Sequence, residues 1–507
     1  MVRVRVSPSP TGMAHIGTAY ISLFNFAFAR KHGGKFILRL EDTDQERHVA
    51  EAEEVLYKAL SWLGLDPDES PTAWGDFGPY RQSERLKLYQ EAAKKLVTAG
   101  RAKEKEGAVW ITPNYEVYGW DDMVRGQIEF KRENLKEWVI LRSSGWPTYN
   151  FAAAVDDAEM KISHVIRGED HISNTPLQLS AYRAMGVEPP MFGHLPLLRG
   201  KDHSKLSKRK DPVSLDWYRE QGYLAEAMIN FLGLQGWSHP LEKDIFSLEE
   251  FIKEMSLERV KTSAPVFDFK KLDWINGQYI QKMKDEDLVD LLRNFWDDPR
   301  RHFFNALGSE SSLPSSSPLG QSKNKVLHGS SSRVSKMSPS DHPDSVHLFD
   351  KDLIVKTVPL VKERIKKLSE FPELVSYFRV RPTVDRDLVL KQSNLEVSVV
   401  KKIFEQIISA YENLGNWDVQ NLEKAGHELL NITKLSPKEL FMTIRVAISG
   451  RTATPPLVET MAVLGKKEVV ARLKAADRIV GGEAYGGFIG RGVKKKLCSY
   501  FILSVSG

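Results

Sequence analysis

The sequence contains almost no cysteine and no long apolar run. Its 507 residues include a single cysteine, Cys498, which excludes a disulfide framework within the chain and a zinc site built from several thiolates. No stretch approaches the roughly 20 consecutive apolar residues that a membrane-spanning helix needs. A strand-like run starts as early as Val2, which leaves no room for a signal or transit peptide. We therefore expect a cytoplasmic protein with no membrane contact and no bound zinc.

An excess of one charge is also missing. The chain has 72 lysine and arginine residues against 67 acidic ones, and the net charge of +5 is too small to indicate a nucleic-acid partner by itself. Hydrophobic residues make up 41% and charged residues 27%, which is ordinary for a soluble globular protein. The length is sufficient for two or more domains with their own cores.

The most informative segment is a turn near the start that lacks both common phosphate-binding patterns. Ser7–Ala19 follows a β-branched run and precedes an apolar one, which predicts strand, tight turn and helix. Gly12 and Gly17 let the backbone approach a ligand closely, and the helix N-terminus near His15 is predicted to offer free N–H groups to an anion. This order is typical of a nucleotide-binding βαβ unit. Because the spacing is neither GxGxxG nor a P-loop, it predicts neither a dinucleotide fold nor a Walker ATPase.

Strand and helix patterns recur along the chain and break at two places. A helix that ends at Thr98, with Ser83 as its expected cap, closes a first α/β segment, and the alternation resumes at Tyr149 after a looser stretch. The predicted fold class is α/β, with a parallel sheet that an insert interrupts and a helical region after it. Residues 305–347 are rich in serine and proline, and we interpret them either as a disordered linker or as sequence that is not genuinely coding.

A second candidate site is a basic loop. Residues 201–210 carry five lysine or arginine side chains and follow an apolar run that ends at Leu198. Alone, such a cluster is consistent with a solvated surface patch. Together with the His15 turn it favours binding of a nucleoside triphosphate, because mobile cations stabilise the charge that develops on the phosphates as pyrophosphate leaves.

Several motifs, in the right order, resemble those of one enzyme family. His15-Ile16-Gly17-Thr18 is similar to the HIGH motif of class I aminoacyl-tRNA synthetases, and Lys205-Leu206-Ser207-Lys208-Arg209 is similar to their KMSKS loop. Finer matches narrow the resemblance to bacterial-type glutamyl-tRNA synthetases, and they are Arg5–Gly12, Arg39–Asp44, Tyr80–Arg85 and Arg167–His171. The similarity covers most of residues 1–300 and returns more weakly over 348–480.

The resemblance implies a fold and a role for each segment. It implies a Rossmann-like parallel-sheet catalytic domain with an inserted subdomain, followed by an all-α anticodon-binding domain. The expected segments are a first catalytic half with the HIGH-type motif (1–100), a shortened connective insert for the acceptor end (101–148), a second catalytic half with the KMSKS-type loop (149–240), a helical stem-contact region (241–304), the serine- and proline-rich linker (305–347), the anticodon-binding domain (348–480) and a tail (481–507).

The resemblance also implies an ATP site. His15 is expected to contact the phosphates, and Lys205 and Lys208 to stabilise the leaving pyrophosphate, so these three are the expected catalytic residues. Asp170 and the backbone near Leu198 are expected to hold the ribose and the adenine. The other implied ATP-binding residues are Gly17, Leu206, Ser207 and Arg209. Mg²⁺ is expected to accompany ATP, and no metal site built by the protein is expected.

A glutamate pocket needs one anion and more than one cation, because the amino acid carries an ammonium group and two carboxylates. Glu41, just past the end of a strand, is predicted to bind the ammonium. Arg5 and Arg167, each at or near a strand end, are predicted to bind carboxylates through bidentate hydrogen bonds. The predicted pocket is completed by the hydroxyls of Ser7, Ser9 and Tyr149 and by the wall from Tyr149 to Ala153.

The reaction implied by the resemblance is ATP-dependent attachment of glutamate to the 3′-terminal adenosine of tRNA(Glu) through a glutamyl-adenylate. The protein is expected to be a monomer, and adenylate formation is expected to require bound tRNA. The likeness to the anticodon-binding domain lies mostly in Thr443–Arg451 and Pro455–Leu457. Arg445 and Arg451 are candidate contacts for phosphate or anticodon bases, with a solvated helix end as the alternative.

Other functions stay open at this point. A glutaminyl-tRNA synthetase typically has an acidic residue in the place of Ser9 and a β-barrel C-terminal half. A truncated paralogue that glutamylates a modified tRNA base would lack the helical C-terminal half, and a nucleotidyltransferase with a HIGH-type motif would be far shorter. The 101–148 insert lacks the cysteine-bearing stretch often found there, which leaves a catalytically inactive RNA-binding module open, although His15, Lys205 and Lys208 are intact.

Overall fold

The computed structural model describes most of the chain. The described residues are 1–10, 12–43, 50–204, 206, 212–297, 350–393 and 395–482. The chain divides into two compact units, and the second begins at Met283. This division falls within the predicted 241–304 segment, and the seven segment boundaries stay predictions. The serine- and proline-rich segment and nearly all of the predicted tail lie outside the described residues.

The strands of the first unit form a parallel group and an antiparallel group. In chain order the strands are β1 (Arg3–Val6), β2 (Lys35–Leu38), β3 (Lys103–Lys105), β4 (Ala108–Ile111), β5 (Val117–Asp122), β6 (Gly126–Lys131), β7 (Trp138–Leu141), β8 (His164–Gly168) and β9 (Met191–Leu195). β1 pairs with β2 in parallel, and β8 pairs with β9 in parallel. A backbone hydrogen bond from Ser163 to Arg3 places the start of β8 beside β1. The predicted α/β class, with its parallel strands divided along the sequence by an insert, is confirmed.

The insert is antiparallel. β3, β4 and β7 form one small sheet, while β5 and β6 form a hairpin. The turn after β5 contacts the parallel group, because the backbone N–H of Met123 donates to the carbonyl of Phe192 in β9 at 2.9 Å. The Lys-Glu-Lys side chains of β3 are all exposed, so this strand gives no apolar signal in the sequence.

The first unit also contains helices. In chain order they are α1 (Ile16–Lys31), α2 (Ala50–Trp62), α3 (Leu86–Thr98), α4 (Tyr149–Glu159), α5 (Thr175–Met185), α6 (Leu215–Glu220), α7 (Ala225–Gly233), α8 (Leu248–Glu254) and α9 (Phe269–Lys282). α1 is buried over most of its surface and connects β1 to β2, as a parallel pair requires. It ends before Gly33, whose φ of 61° is the left-handed conformation that favours glycine.

One predicted helix cap is wrong. Ser83 does not cap α3, because it lies inside a 3₁₀ turn, Gln82–Arg85, that precedes the helix. Its backbone N–H and its hydroxyl both donate to the carboxylate of Asp42, at 2.8 and 2.6 Å. Ser83 therefore binds the segment that follows β2 instead of capping the helix. This is a tertiary contact, and local sequence does not encode it.

The regular elements in the described part of the second unit are all helical. Its helices are α10 (Asp285–Trp296), α11 (Lys351–Val361), α12 (Phe371–Arg379), α13 (Arg386–Ser393), α14 (Val397–Glu412), α15 (Val419–Thr433), α16 (Pro437–Ser449), α17 (Leu457–Leu464) and α18 (Lys466–Val480). The apolar faces of α13 to α18 bury side chains such as Phe404, Leu429 and Ile444 in a shared core. α17 follows two prolines and is capped at its C-terminus by Gly465. Over the described part of the chain, no helix combines the length and apolar character needed to span a membrane.

Candidate active site

The candidate site lies in the first unit, where side chains from the parallel strands meet the first turns of α4. Arg5 belongs to β1, Glu41 follows β2, and Arg167 belongs to β8. Tyr149 is the first residue of α4. Burial raises the pKa of Tyr149 to about 12, and the charges of Glu41, Arg167 and Arg5 also act on it. The fold therefore brings four of the predicted glutamate-binding residues close to one another. They are Arg5, Glu41, Tyr149 and Arg167.

A buried carboxylate holds two arginines in this site. Asp157 of α4 accepts hydrogen bonds from Arg5 Nε and Nη2, both at 3.2 Å, and from Arg39 Nη1 at 2.6 Å. Burial opposes ionisation of Asp157, but the attraction of both arginines outweighs it and holds the pKa of Asp157 below its ordinary value. Asp157 is therefore ionised, and it fixes the position of Arg5 before any ligand binds.

Glu41 has a different balance of forces. Its Oε1 accepts from Arg39 Nη2 at a long 3.3 Å, and its side chain is 9% exposed. Burial outweighs the attraction of Arg39 and Arg5, and so raises the pKa of Glu41. An anion whose charge is penalised by burial is stabilised when a cation arrives, so Glu41 suits an ammonium group.

Arg167 is the unusual cation of the site. It is 5% exposed, and its hydrogen-bond acceptors within the described part of the chain include no carboxylate. They are His194 Nε2 at 3.1 Å, Gln178 Oε1 at 2.9 Å, Thr175 Oγ1 at 2.8 Å and the carbonyl of His171 at 3.5 Å. Burial lowers the pKa of Arg167. A buried guanidinium held by neutral groups is suited to receive a carboxylate from a ligand.

The predicted hydroxyls and the helix wall occupy different environments. Ser7 Oγ is buried and has no hydrogen-bond partner among the described residues. The Tyr149 hydroxyl lies 3.1 Å from His171 Nδ1, and Ala153 is buried one turn further along α4. Ser9 is exposed. The unpartnered Ser7 hydroxyl is the second feature, after Arg167, that a polar ligand would satisfy.

The N-terminus of α1 corrects one expectation. The N–H of Ile16 donates to the carbonyl of Val213 at 2.8 Å, and that of Gly17 donates to His15 Nδ1 at 3.0 Å. The next two N–H groups donate to the carbonyl of His15. The predicted free N–H groups are thus already paired, so an anion here would be bound through side chains. A Cβ added at Gly17 would lie 3.1 Å from the His15 ring, so a larger residue here would displace that ring slightly.

The remaining predicted ATP residues are only partly described. Leu198 and Leu206 are buried, and the N–H of Leu206 donates to the carbonyl of Leu198 at 3.4 Å. Asp170 is exposed on the 3₁₀ segment that follows β8. Lys205, Ser207, Lys208 and Arg209 lie outside the described residues.

Sequence reasoning missed several side chains that organise the site. Asp156 and Asp157 are consecutive acids in a helix that is otherwise mostly buried, and this pairing of acids with burial was the available signal. Arg39 is 0% exposed. It lies in the motif Arg39–Asp44, but the motif itself does not show that this arginine is buried. His194 of β9 carries no local signal, because its role depends on contacts with residues far away in the chain.

Comparison with known proteins identifies the family. The model of the catalytic domain of class I tRNA synthetases (E and Q) matches residues 1–106 and 103–274. A glutamate–tRNA ligase from Acidothermus cellulolyticus is 37% identical over 94% of this chain and 96% of its own length. The chain belongs to the glutamate–tRNA ligase family. A relative from Caldicellulosiruptor saccharolyticus, glutamate–tRNA ligase 2, is 36% identical over 94% of this chain and 98% of its own length.

Solved structures of the family agree with the fold. The crystal structure of a glutamate tRNA ligase from Elizabethkingia meningosepticum, in complex with its amino acid, has a TM-score of 0.77 and 27% identity over 94% of this chain and 99% of that one. Residues 333–477 match an anticodon-binding domain model. The family assignment and the helical second unit agree with the expected synthetase architecture.

Two predicted cations of the second unit contact neutral groups. Arg445 Nη1 donates to the carbonyls of Thr454 and Pro455, at 3.1 and 2.7 Å, and also to the Thr454 hydroxyl. Arg451 Nη1 donates to the carbonyl of Glu373 at 2.5 Å, and its guanidinium lies 5.8 Å from the ring centre of Tyr377. Burial lowers the pKa of Arg445, and nearby Arg364 lowers it further. Both cations contact carbonyls, and Arg451 also lies beside an aromatic ring, which is compatible with contacts to RNA.

Proposed function

We propose that this protein attaches glutamate to the 3′-terminal adenosine of tRNA(Glu) at the expense of ATP. The α-carboxylate of glutamate attacks the α-phosphorus of ATP, pyrophosphate leaves, and the glutamyl-adenylate then transfers its acyl group to the tRNA. Family membership supports this reaction. Little covalent help is needed for the first step, so positioning and stabilisation of charge carry most of the catalysis.

The observation that carries the proposal is Arg167. A buried guanidinium without a carboxylate partner among the described residues gains most when a ligand supplies one. Glutamate has two carboxylates, and Arg5 offers a second guanidinium that Asp157 holds in place. Glutamine leaves one of these charges uncompensated, because its side-chain amide is neutral. The pocket therefore favours glutamate.

The ammonium end of glutamate is assigned to Glu41. Its carboxylate is penalised by burial, and its hydrogen bond to Arg39 is long. An ammonium group within reach would stabilise the anion and return its pKa toward the ordinary range. Ser7 Oγ is assigned to a ligand oxygen, since it lacks a partner among the described residues. Tyr149, Ala153 and Ser9 complete the proposed pocket.

The ATP phosphates are assigned to His15 and the basic loop. His15 Nδ1 accepts from the N–H of Gly17, so the hydrogen of the neutral ring is on Nε2, which can donate to a phosphate oxygen. Lys205 and Lys208 are proposed to stabilise the leaving pyrophosphate, together with Arg209 and Ser207. Asp170 and the Leu198 backbone are proposed to hold the nucleoside, beside Leu206 and Gly17.

The remaining parts of the proposal concern the partners. Arg445 and Arg451 are proposed to contact the anticodon arm, where their carbonyl contacts can be exchanged for phosphate or base contacts. Mg²⁺ is proposed to arrive with ATP as part of that substrate. We propose that the enzyme acts in the cytoplasm as a monomer.

The test is aminoacylation of total tRNA with labelled glutamate or labelled glutamine. Glutamate is expected to be incorporated and glutamine is not. Lys208→Ala is expected to abolish most of the activity, whereas Lys201→Ala removes one charge from the same basic loop outside the motif and serves as the matched control. Charging with glutamine, or equal activity in the Lys208→Ala variant and the wild type, would overturn the proposed mechanism.

A further inference from the structure

A buried chain of hydrogen bonds leads from the insert to Arg167. Asp122 is the last residue of β5, and its Oδ2 lies 2.5 Å from His194 Nδ1. His194 Nε2 accepts from Arg167 Nε at 3.1 Å. The side chains of Asp122 and His194 are both 0% exposed. The chain thus connects a carboxylate of the insert, through one imidazole, to the guanidinium assigned to a glutamate carboxylate.

The direction of these hydrogen bonds is set by Arg167. An arginine Nε–H can only donate, so His194 Nε2 must accept and must carry no hydrogen. The ring hydrogen is therefore on Nδ1, where it is donated to Asp122. Burial lowers the pKa of His194, which keeps the imidazole neutral and preserves this arrangement at neutral pH. Thr175 Oγ1, at 3.2 Å, is a further neighbour of the same nitrogen.

Asp122 is itself saturated with donors. Its Oδ1 accepts from the backbone N–H groups of Val124, Arg125 and His194, each at 3.1 Å. Its Oδ2 accepts from Trp120 Nε1 at 3.1 Å as well as from His194 Nδ1. Burial opposes ionisation, but these bonds, led by that of His194, lower the pKa of Asp122 to about 2. The carboxylate is an acceptor on every side.

We propose that Asp122 and His194 are positioning residues for glutamate recognition, acting by holding the acceptor nitrogen of His194 against Arg167. Asp122 fixes the tautomer, the tautomer fixes the orientation of the guanidinium, and the guanidinium receives a glutamate carboxylate. The inference rests on the proposed function, because it assigns that carboxylate to Arg167. It extends the amino-acid site into the insert, whose other residues have no assigned part in amino-acid binding.

The decisive variant is Asp122→Asn. The new amide oxygen can face the three backbone N–H groups, which leaves the amide NH₂ facing His194 Nδ1 and also the Trp120 N–H, whose own hydrogen bond is lost. His194 then has to accept a hydrogen bond at Nδ1 and carry its hydrogen on Nε2. The Nε2–H of His194 would face the Nε–H of Arg167, and two donors cannot form a hydrogen bond. We expect the KM for glutamate to rise about tenfold or more, because small displacements of a binding group are costly, while the KM for ATP changes by less than about twofold. Asp121→Asn, at an exposed neighbour in the same strand, is the matched control.

Two variants of His194 separate the two hydrogen bonds. His194→Gln can place an amide oxygen near the position of Nε2 and so keep an acceptor for Arg167. His194→Asn keeps a donor near Asp122 but does not reach Arg167. We expect His194→Gln to retain a KM for glutamate closer to the wild type than His194→Asn does. Adding Asp122→Asn to the His194→Gln variant should change this KM little. Glutamine has no tautomers, so Asp122 has no proton position left to fix.

The outcomes distinguish this inference from the proposed function. Wild-type protein that charges no tRNA with glutamate overturns the function. Active wild type, with a folded Asp122→Asn variant whose KM for glutamate is unchanged, overturns the inference alone. If Asp122→Asn does not fold, the comparison of His194→Gln with His194→Asn decides, and equal KM values for glutamate in these two variants overturn the inference. Circular dichroism and thermal unfolding establish which variants are folded.

Discussion

Arg39 in the first unit and Arg445 in the second show two ways of compensating an arginine that is removed from water. In the first unit, Arg5 and Arg39 reach the interior and are bound by Asp157, a carboxylate that is itself buried. In the second unit, the core is formed by aliphatic and aromatic side chains, and the half-buried Arg445 bonds to carbonyls and a hydroxyl. The first arrangement fixes the position of the charges, and the second leaves a cation whose partners are neutral.

This difference follows from what each unit is proposed to bind. A small zwitterionic amino acid must be recognised by groups that are already oriented, so desolvated ion pairs that fix those groups are useful although they add little net stability. An RNA surface presents many phosphates and bases, and neutral partners can be exchanged for them at small cost.

Replacement of Arg167 should have the largest effect. Arg167→Ala removes the guanidinium that we assign to a glutamate carboxylate, and loss of a buried charged hydrogen bond should reduce kcat/KM for glutamate by at least about 100-fold. Stability should also fall, but less than for an arginine that compensates buried carboxylates, because only neutral acceptors on His194, Gln178 and Thr175 lose their donor. Steady-state aminoacylation and thermal unfolding measure the two quantities. Arg101→Ala, at an exposed arginine of the same unit, is the control, and equal activity of the two variants would contradict the assignment.

Arg39 should behave in the opposite way. It is 0% exposed and contacts Asp157, Asp156 and Glu41. Burial opposes its charge, but these carboxylates outweigh burial and raise the pKa of Arg39. Arg39→Met leaves buried carboxylates with one cation fewer, and we expect the free energy of unfolding to fall by about 3 kcal/mol. Urea unfolding of the variant measures this.

The matched comparison for Arg39 is in the second unit. Arg445→Met removes a half-buried arginine whose partners are neutral, so it leaves no buried charge without compensation. We expect a loss of about 1 kcal/mol in the same measurement. A loss as large as that for Arg39→Met would show that carboxylate partners and neutral partners do not differ in their effect on these two arginines.

Local sequence signals are sufficient to predict several elements of the fold. The strand-turn-helix at the start, the strand that contains Arg167 and the helix between Pro456 and Gly465 follow from local periodicity and from glycine and proline signals. Family motifs located the residues that the structure brings together at the ends of the strands. The roles proposed for those residues in catalysis and binding stay predictions.

The contacts between distant segments were beyond the reach of the sequence. Ser83 looked like a helix cap because its neighbours are helical, but Asp42 takes its hydroxyl. The N–H groups of α1 looked free because the pattern does not show that Val213 lies against the helix N-terminus. Asp122 and His194 are separated by 72 residues, and only the folded chain reveals that they share a hydrogen bond.

A smaller effect is expected on tRNA binding. If Arg445 exchanges its carbonyl contacts for RNA contacts, Arg445→Ala should weaken binding of tRNA(Glu) about tenfold, as for the loss of one cationic contact, and leave the KM for glutamate unchanged. Lys438→Ala removes an exposed charge from the start of the same helix, α16, and is the control. Filter binding at a fixed salt concentration measures the affinity. Equal affinities of the two variants would place the RNA contact elsewhere.

The smallest effect should come from an ion cluster in the second unit. Glu468 accepts from Arg381 Nε and Nη2 and from Arg472 Nε, all at 2.8 Å. The hydrogen bond from Arg381 is the largest cause that lowers the pKa of Glu468 to about 2. Because the pKa in the folded state is below that of an unfolded glutamate, about 4.3, the stabilisation is complete above that value and is lost as the pH falls toward 2.

Glu468→Gln should remove this pH-dependent part of the stability. Relative to the wild type, the variant should have a lower thermal midpoint at pH 7, and the difference between the two proteins should shrink as the pH is lowered from 5 toward 2. Glu428→Gln, at an exposed acid of α15, should give a smaller difference at pH 7. If the difference for Glu468→Gln stays constant over this pH range, then the two arginines do not depend on its charge. In that case neither Glu468 nor Arg445 would owe its contribution to stability to a pair of opposite charges.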